Sequence, residues 1–212
     1  MKRAIPLVLM LTLMFSLGCS KTVLVPVPPR LDLKTYGTVG IIEFKSNADP
    51  ALNTYATQQF QEVVHGAAPG TPILELGSRE AVLAAVGSSD FDPETLTKIG
   101  KKFNVAAVFI GDITYSDPKT DIRVTDISTL DGGIRTEVRG DFSTKLLETR
   151  SGASVWSSSS WARRQIGNLN VSTRRGVSAT MGDTNPRKEM VPALIQHATN
   201  DFRPTYVRQK VE

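Results

Sequence analysis

The chain has 212 residues, 40% of them hydrophobic, and a formal charge of +4. That length and apolar content suit one compact domain. A single cysteine excludes a disulfide framework, a Cys-based metal site and dithiol redox chemistry, and so small a basic excess gives no footprint for nucleic acid.

The chain opens with Met1-Lys2-Arg3, runs apolar from Ala4 through Leu17, and reaches Gly18-Cys19-Ser20. A basic start, a short apolar stretch and a small residue before the cut describe a secretory signal. The run is shorter than the about 20 residues a membrane span needs. The lone thiol after Gly18 resembles the bacterial lipoprotein signal, with Ser16 where leucine is usual. That resemblance implies cleavage between Gly18 and Cys19, and acyl chains on Cys19 that hold the protein on membrane lipid. Ser20, not Asp, implies the outer membrane, with the domain facing the periplasm. The other reading is an ordinary secretory signal with a chance or buried thiol. Lys2 and Arg3 leave with the leader, so the mature balance falls to +2 and says little about an anionic partner.

Residues 19–37 carry Val23-Leu24-Val25-Pro26-Val27-Pro28-Pro29. Prolines at this density prevent a helix or an inner strand and favour an extended spacer. The valines could instead dock on the domain surface.

The domain is expected over residues 38–205, with 206–212 as a tail. Val39 to Phe44 is apolar and β-branched, a buried strand. Asp49-Pro50 caps a helix whose face is Leu52, Tyr55, Ala56, Phe60, Val63 and Val64. A second strand covers Pro72 to Leu76, and Gly77-Ser78 opens a short helix. Asp92-Pro93 starts another, with Leu96, Ile99 and Phe103 as its stripe and Asn104 at its end. The continuous run Val105 to Ile110 suits a central strand covered on both faces. Strict alternation from Ile134 to Leu146, a turn at Arg150–Ala153 and a strand from Ser154 to Arg164 make a long antiparallel hairpin. Residues 167–183 read as a polar loop. Asn185-Pro186 opens a last helix, which Pro192 should kink or restart and Pro204 stops. The fold class is therefore α/β (α+β): one three-layer domain, a mixed sheet with helices on its faces and a long antiparallel hairpin.

The order of Val39–Phe44, Leu74–Leu83, Ile99–Asp112 and Leu146–Ser157 resembles the curli-secretion (CsgG-like) family and its TolB N-terminal and LpoB relatives. The resemblance implies an envelope protein that acts by binding and assembly, not catalysis. One branch of that family builds an oligomeric channel with two added β-hairpins per subunit. The segments in the corresponding place are residues 117–133 and 161–183. Both are rich in charge, and neither reads as having a lipid-facing row. The expectation is a tethered factor that recruits an envelope protein or glycan, with homo-oligomerisation left open and the channel subunit as the alternative.

No catalytic residue, metal site or cofactor is expected. His65 and His197 fall on helices, and neither has zinc spacing. Ser157 to Ser160 lie on a strand with no base near in sequence. Asp112, Asp117, Asp121, Asp126 and Asp131 lack calcium-loop spacing and suit turn caps. Arg163, Arg164, Arg174 and Arg175 gather around Trp161, with Arg187 and Lys188 further on. They are either a solvated loop or a face for an anionic glycan, a lipid headgroup or an acidic partner.

Overall fold

The structure, a computed structural model, describes residues 21–126, 131–172, 176–181 and 185–211. Contacts divide it into two compact units, one running from Arg30 to Arg203 and one made of the flanking segments.

In the flanking unit, strand β1 (Lys21–Val27) pairs antiparallel with β10 (Thr205–Val211), from Lys21 opposite Val211 to Val27 opposite Thr205. The segments read as spacer and tail are thus hydrogen-bonded strands. Pro26 is accommodated because a two-stranded ribbon has only edge strands.

The larger unit follows its caps. Helix α1 (Pro50–Ala67) starts where Asp49 accepts the Ala51 N–H, and α2 (Arg79–Val86) where Ser78 accepts from Ala81. Helix α3 (Pro93–Phe103) is capped by Asp92, which accepts from Thr95. It ends on Asn104 in the left-handed conformation, φ 54°. Asn185 caps α4 (Pro186–Ala198), which runs on through Pro192 instead of starting there. Pro192 offers no N–H, so the preceding turn loses one helical hydrogen bond.

The sheet contains β2 (Val39–Ile42), β3 (Lys45–Ser46), β4 (Ile73–Gly77), β5 (Ala107–Tyr115), β6 (Lys119–Asp126), β7 (Asp131–Glu148), β8 (Ser154–Ser172) and β9 (Gly176–Met181). Its order is β4-β2-β5-β7-β8-β9, with β3 beside β5 and β6 beside β7. Strand β2 is parallel to β4 and β5, and the pairs from β5 to β9 are antiparallel, so the sheet is mixed.

Helices α1 and α4 cover one face through Phe60, Val64, Leu194 and Ile195. Helices α2 and α3 cover part of the other through Val82 and Ile99, packed on Ile42 and Val108. This is the expected three-layer arrangement. The larger core is aromatic. Phe60 meets Phe44 and Phe109 edge-on, each at 5.0 Å between ring centres. Trp156 lies 4.7 Å from Phe202 and donates its indole N–H to Asp201 at 3.2 Å.

A further expectation fails. Residues 167–172 continue β8, and residues 176–181 form β9, where a polar loop was expected. Polarity misled because a strand needs only alternate apolar positions.

Candidate functional site

Along β7 the even-numbered residues Val138, Phe142, Thr144 and Leu146 are buried under α1 and α4. The odd-numbered Asp141, Ser143 and Lys145 are exposed on the other face. On β8, Ser160 donates to the Leu194 carbonyl of α4 at 2.6 Å, while Ser157, Ser159 and Trp161 belong to the open side. Beyond the reach of α2 and α3, the sheet therefore presents a bare polar face.

Trp161 is 54% exposed on that face and stands opposite Asp141. The guanidinium carbons of Arg139 and Arg163 lie over its ring at 5.2 and 5.3 Å from the centroid, inside cation–π range. Arg139 donates through Nε to Asp141 Oδ2 at 2.8 Å, and this bond raises its pKa further. Beside them runs a groove of about 280 Å³ lined by Asp112, Thr114, Asp141, Ser143, Ser159 and Trp161. The arrangement joins a flat aromatic, fixed cations and hydroxyls on a rigid sheet. That is chemistry that can hold a polar ligand, with Asp112 and Asp141 as well as the two arginines around it.

The structure brings Trp161 and Arg163 together. It adds Arg139, which stands opposite Arg163 and is distant in sequence. Arg164 is on the opposite side, its Nε 3.8 Å from Glu189 of α4. Arg187 lies over Tyr115 and Lys188 over Tyr55, away from Trp161. Arg174, Arg175, Gly18 and Cys19 lie outside the described residues. His65 and His197 are exposed in the last turns of α1 and α4. Asp112 is 3.1 Å from Arg79, and Asp121 is 3.0 Å from Arg123. Among the described residues, no three His, Cys, Asp or Glu side chains gather as a metal site.

A second feature lies past the helices. Strands β6 to β9 extend the sheet as four antiparallel strands. Ile122 pairs with Ile134, Ile134 with Leu169 and Leu169 with Ala179, one row across all four. Two positions toward the helices the row is Thr120, Thr136, Gly167 and Met181; two toward the tips it is Val124, Gly132, Val171 and Val177. All three rows are uncharged. The intervening rows hold Asp121, Arg135, Asn168 and Thr180, then Arg123, Gly133, Asn170 and Ser178. Ile122 is 68% exposed and Ile134 36%. The charges pair among themselves, Arg123 with Asp121 and Arg135 with Glu137. These segments were expected to show no lipid-facing row, and the register places Ile122, Ile134, Leu169 and Ala179 in one apolar row. Their charges occupy alternate rows and leave the others clean.

No family model and no curated protein matches this sequence. Solved structures do resemble it in part. The PelC dodecamer from Paraburkholderia phytofirmans is 10% identical, with a TM-score of 0.40 over 86% of this chain and 98% of that one. The LpoB C-terminal domain from Salmonella enterica is 9% identical, with a TM-score of 0.36 over 64% and 95%. A minor lipoprotein from Acinetobacter baumannii is 11% identical, with a TM-score of 0.35 over 76% and 88%. Likeness of this degree leaves function to be argued from this chain's own residues.

Among the described residues no helix is long and apolar enough to cross a membrane. That says nothing of the strands.

Proposed function

We propose that this protein is a lipid-anchored bacterial envelope factor that works by non-catalytic binding and assembly. Cys19 is the anchor, on the outer membrane, and the larger unit faces the periplasm. The observation that supports binding is the exposed Trp161 with Arg139 and Arg163 over its ring, beside an open groove. Its ligand is an anionic glycan or an acidic segment of an envelope protein.

The test is retention of the acyl-free protein, made without residues 1–19, on envelope fractions. Replacing Arg139, Arg163 and Trp161 by Ser, Ser and Ala should abolish it. Arg164→Ser, on the other side of the sheet, should leave it intact. Equal retention of the triple variant and the parent would remove this face from consideration.

The uncharged rows of β6–β9 favour a second reading: a subunit of an oligomeric channel, each copy giving four strands to a shared barrel. Strand β6 has eight residues and β9 six, against the about 9–11 of a tilted membrane strand. Native mass in mild detergent separates the readings. A monomer or dimer means a tethered factor, and a large ring means a channel. In the ring case, Ile122→Asp with Ile134→Asp should prevent insertion.

A further inference from the structure

The β1–β10 ribbon is a two-stranded sheet, a form marginal on its own in water. Yet it exposes Val23, Leu24, Val25, Val27, Tyr206 and Val207 at 37–65%. Such a concentration of exposed apolar side chains needs a cover.

The register sorts them. Val23 stands opposite Gln209, Val25 opposite Val207 and Val27 opposite Thr205, so one face is uncharged up to the terminal Lys21–Val211 pair. The other carries Leu24, Pro26 and Tyr206 together with Arg208. Basic residues collect at one end, where Thr22 meets Lys210 and Leu24 meets Arg208, with Lys21 beyond. In residues 20–29 and 204–212 the one acidic residue is Glu212.

That basic end is also the end nearest Cys19, two residues before Lys21. Two residues span at most about 7 Å. We infer that the ribbon lies on the bilayer at the anchor. Its Leu24, Pro26 and Tyr206 face meets the acyl boundary, and Arg208 and Lys210, on that same face, meet anionic headgroups. The inference rests on the proposed acylation of Cys19. An interfacial tyrosine and nearby cations are the chemistry of such a surface, each cation strengthening attachment about fivefold. The segment next to the anchor would then be a flat ribbon against the bilayer rather than a free spacer.

The test uses the full-length lipoprotein with Leu24→Cys, on the face of Arg208 and Lys210, labelled with an environment-sensitive thiol dye and reconstituted in phosphatidylethanolamine–phosphatidylglycerol vesicles. An acylated Cys19 takes no dye, so one dye per chain reports the anchor independently of the ribbon. The expected result is one dye per chain, blue-shifted emission and strong quenching by shallow spin-labelled lipid. Arg208→Glu with Lys210→Glu should reduce that quenching several-fold, as should purely zwitterionic vesicles. One dye per chain without lipid quenching overturns the ribbon's placement alone. If the dye is then shielded from aqueous iodide and cross-links between chains, a second copy is the cover instead. Two dyes per chain overturn the anchor and the inference with it.

Discussion

Arg139 lies 5.2 Å from the centre of the Trp161 ring, and Asp141, two residues along the same strand, holds the guanidinium there. The chain's other tryptophan, Trp156, is buried to 8% exposure between Phe109 and Phe202. The two indoles should therefore separate by experiment. Trp161→Ala should change stability by less than about 0.5 kcal/mol and remove most of the iodide-quenchable emission. Trp156→Ala should cost about 3–5 kcal/mol in urea unfolding. Comparable losses from the two substitutions would contradict the exposed placement of Trp161.

Gly100 of α3 lies against Thr149. A Cβ at residue 100 would come within 2.5 Å of the Thr149 hydroxyl oxygen, which donates to the Val105 carbonyl at 2.8 Å. Ala favours a helix over Gly by about 1 kcal/mol. Here overpacking should outweigh that preference, so Gly100→Ala should lower stability by about 1–3 kcal/mol. Gly66 in α1 has nothing within 4 Å of its would-be Cβ. Gly66→Ala should stabilise by about 0.5–1 kcal/mol. The two denaturation midpoints should move in opposite directions.

How much of this was legible in the sequence depends on where each signal is written. The helix starts were local: Asp49, Ser78, Asp92 and Asn185 each cap within three residues, as read. The inner hairpin was legible because β7 keeps one phase from Ile134 to Leu146. The extension was not. In β8 the inward positions are even up to Arg164 and odd from Gly167, since Ile166 is an extra residue where Thr136 pairs with Gly167 and Glu137 with Gln165. A phase change in mid-strand hides the alternation that defines a strand face. Arg139 was missed for a related reason: only strand register sets it beside Trp161. The ribbon pairs residues about 180 positions apart, which leaves no local trace.

Tyr115 ends β5 with its hydroxyl 3.2 Å from the Arg187 carbonyl. Burial pushes its pKa up to about 12, against an opposing pull from the Arg187 charge. A phenol gains charge on losing its proton, so a raised pKa means the fold favours the neutral form. Its stabilisation is complete below the unfolded pKa of about 10 and is lost as pH rises toward 12. Absorbance titration should show one of the four tyrosines ionising near 12. Between pH 10 and 12, Tyr115→Phe should lose less stability than the parent. Equal slopes in that window would mean the phenol is not buried.

The bulge at Ile166 makes the extension's register open to a direct test. Deleting Ile166 removes the extra residue and leaves Gly167 opposite Thr136 and Leu169 opposite Ile134. The uncharged rows should survive, at the cost of whatever Ile166 contributes by packing on the core. Inserting one alanine between Gly167 and Asn168 has no bulge to close. It would move Leu169 out of the Ile134 row and Asn168 into it, since a one-residue slip sends each side chain to the other face. Amide hydrogen exchange reads both outcomes. The deletion should keep protection in β8 beyond Gly167 and in β9. The insertion should lower it there by tenfold or more, about 1.4 kcal/mol of local opening, while β5 and the inner half of β7 keep theirs. Unchanged protection after the insertion would show that the uncharged rows do not set the register.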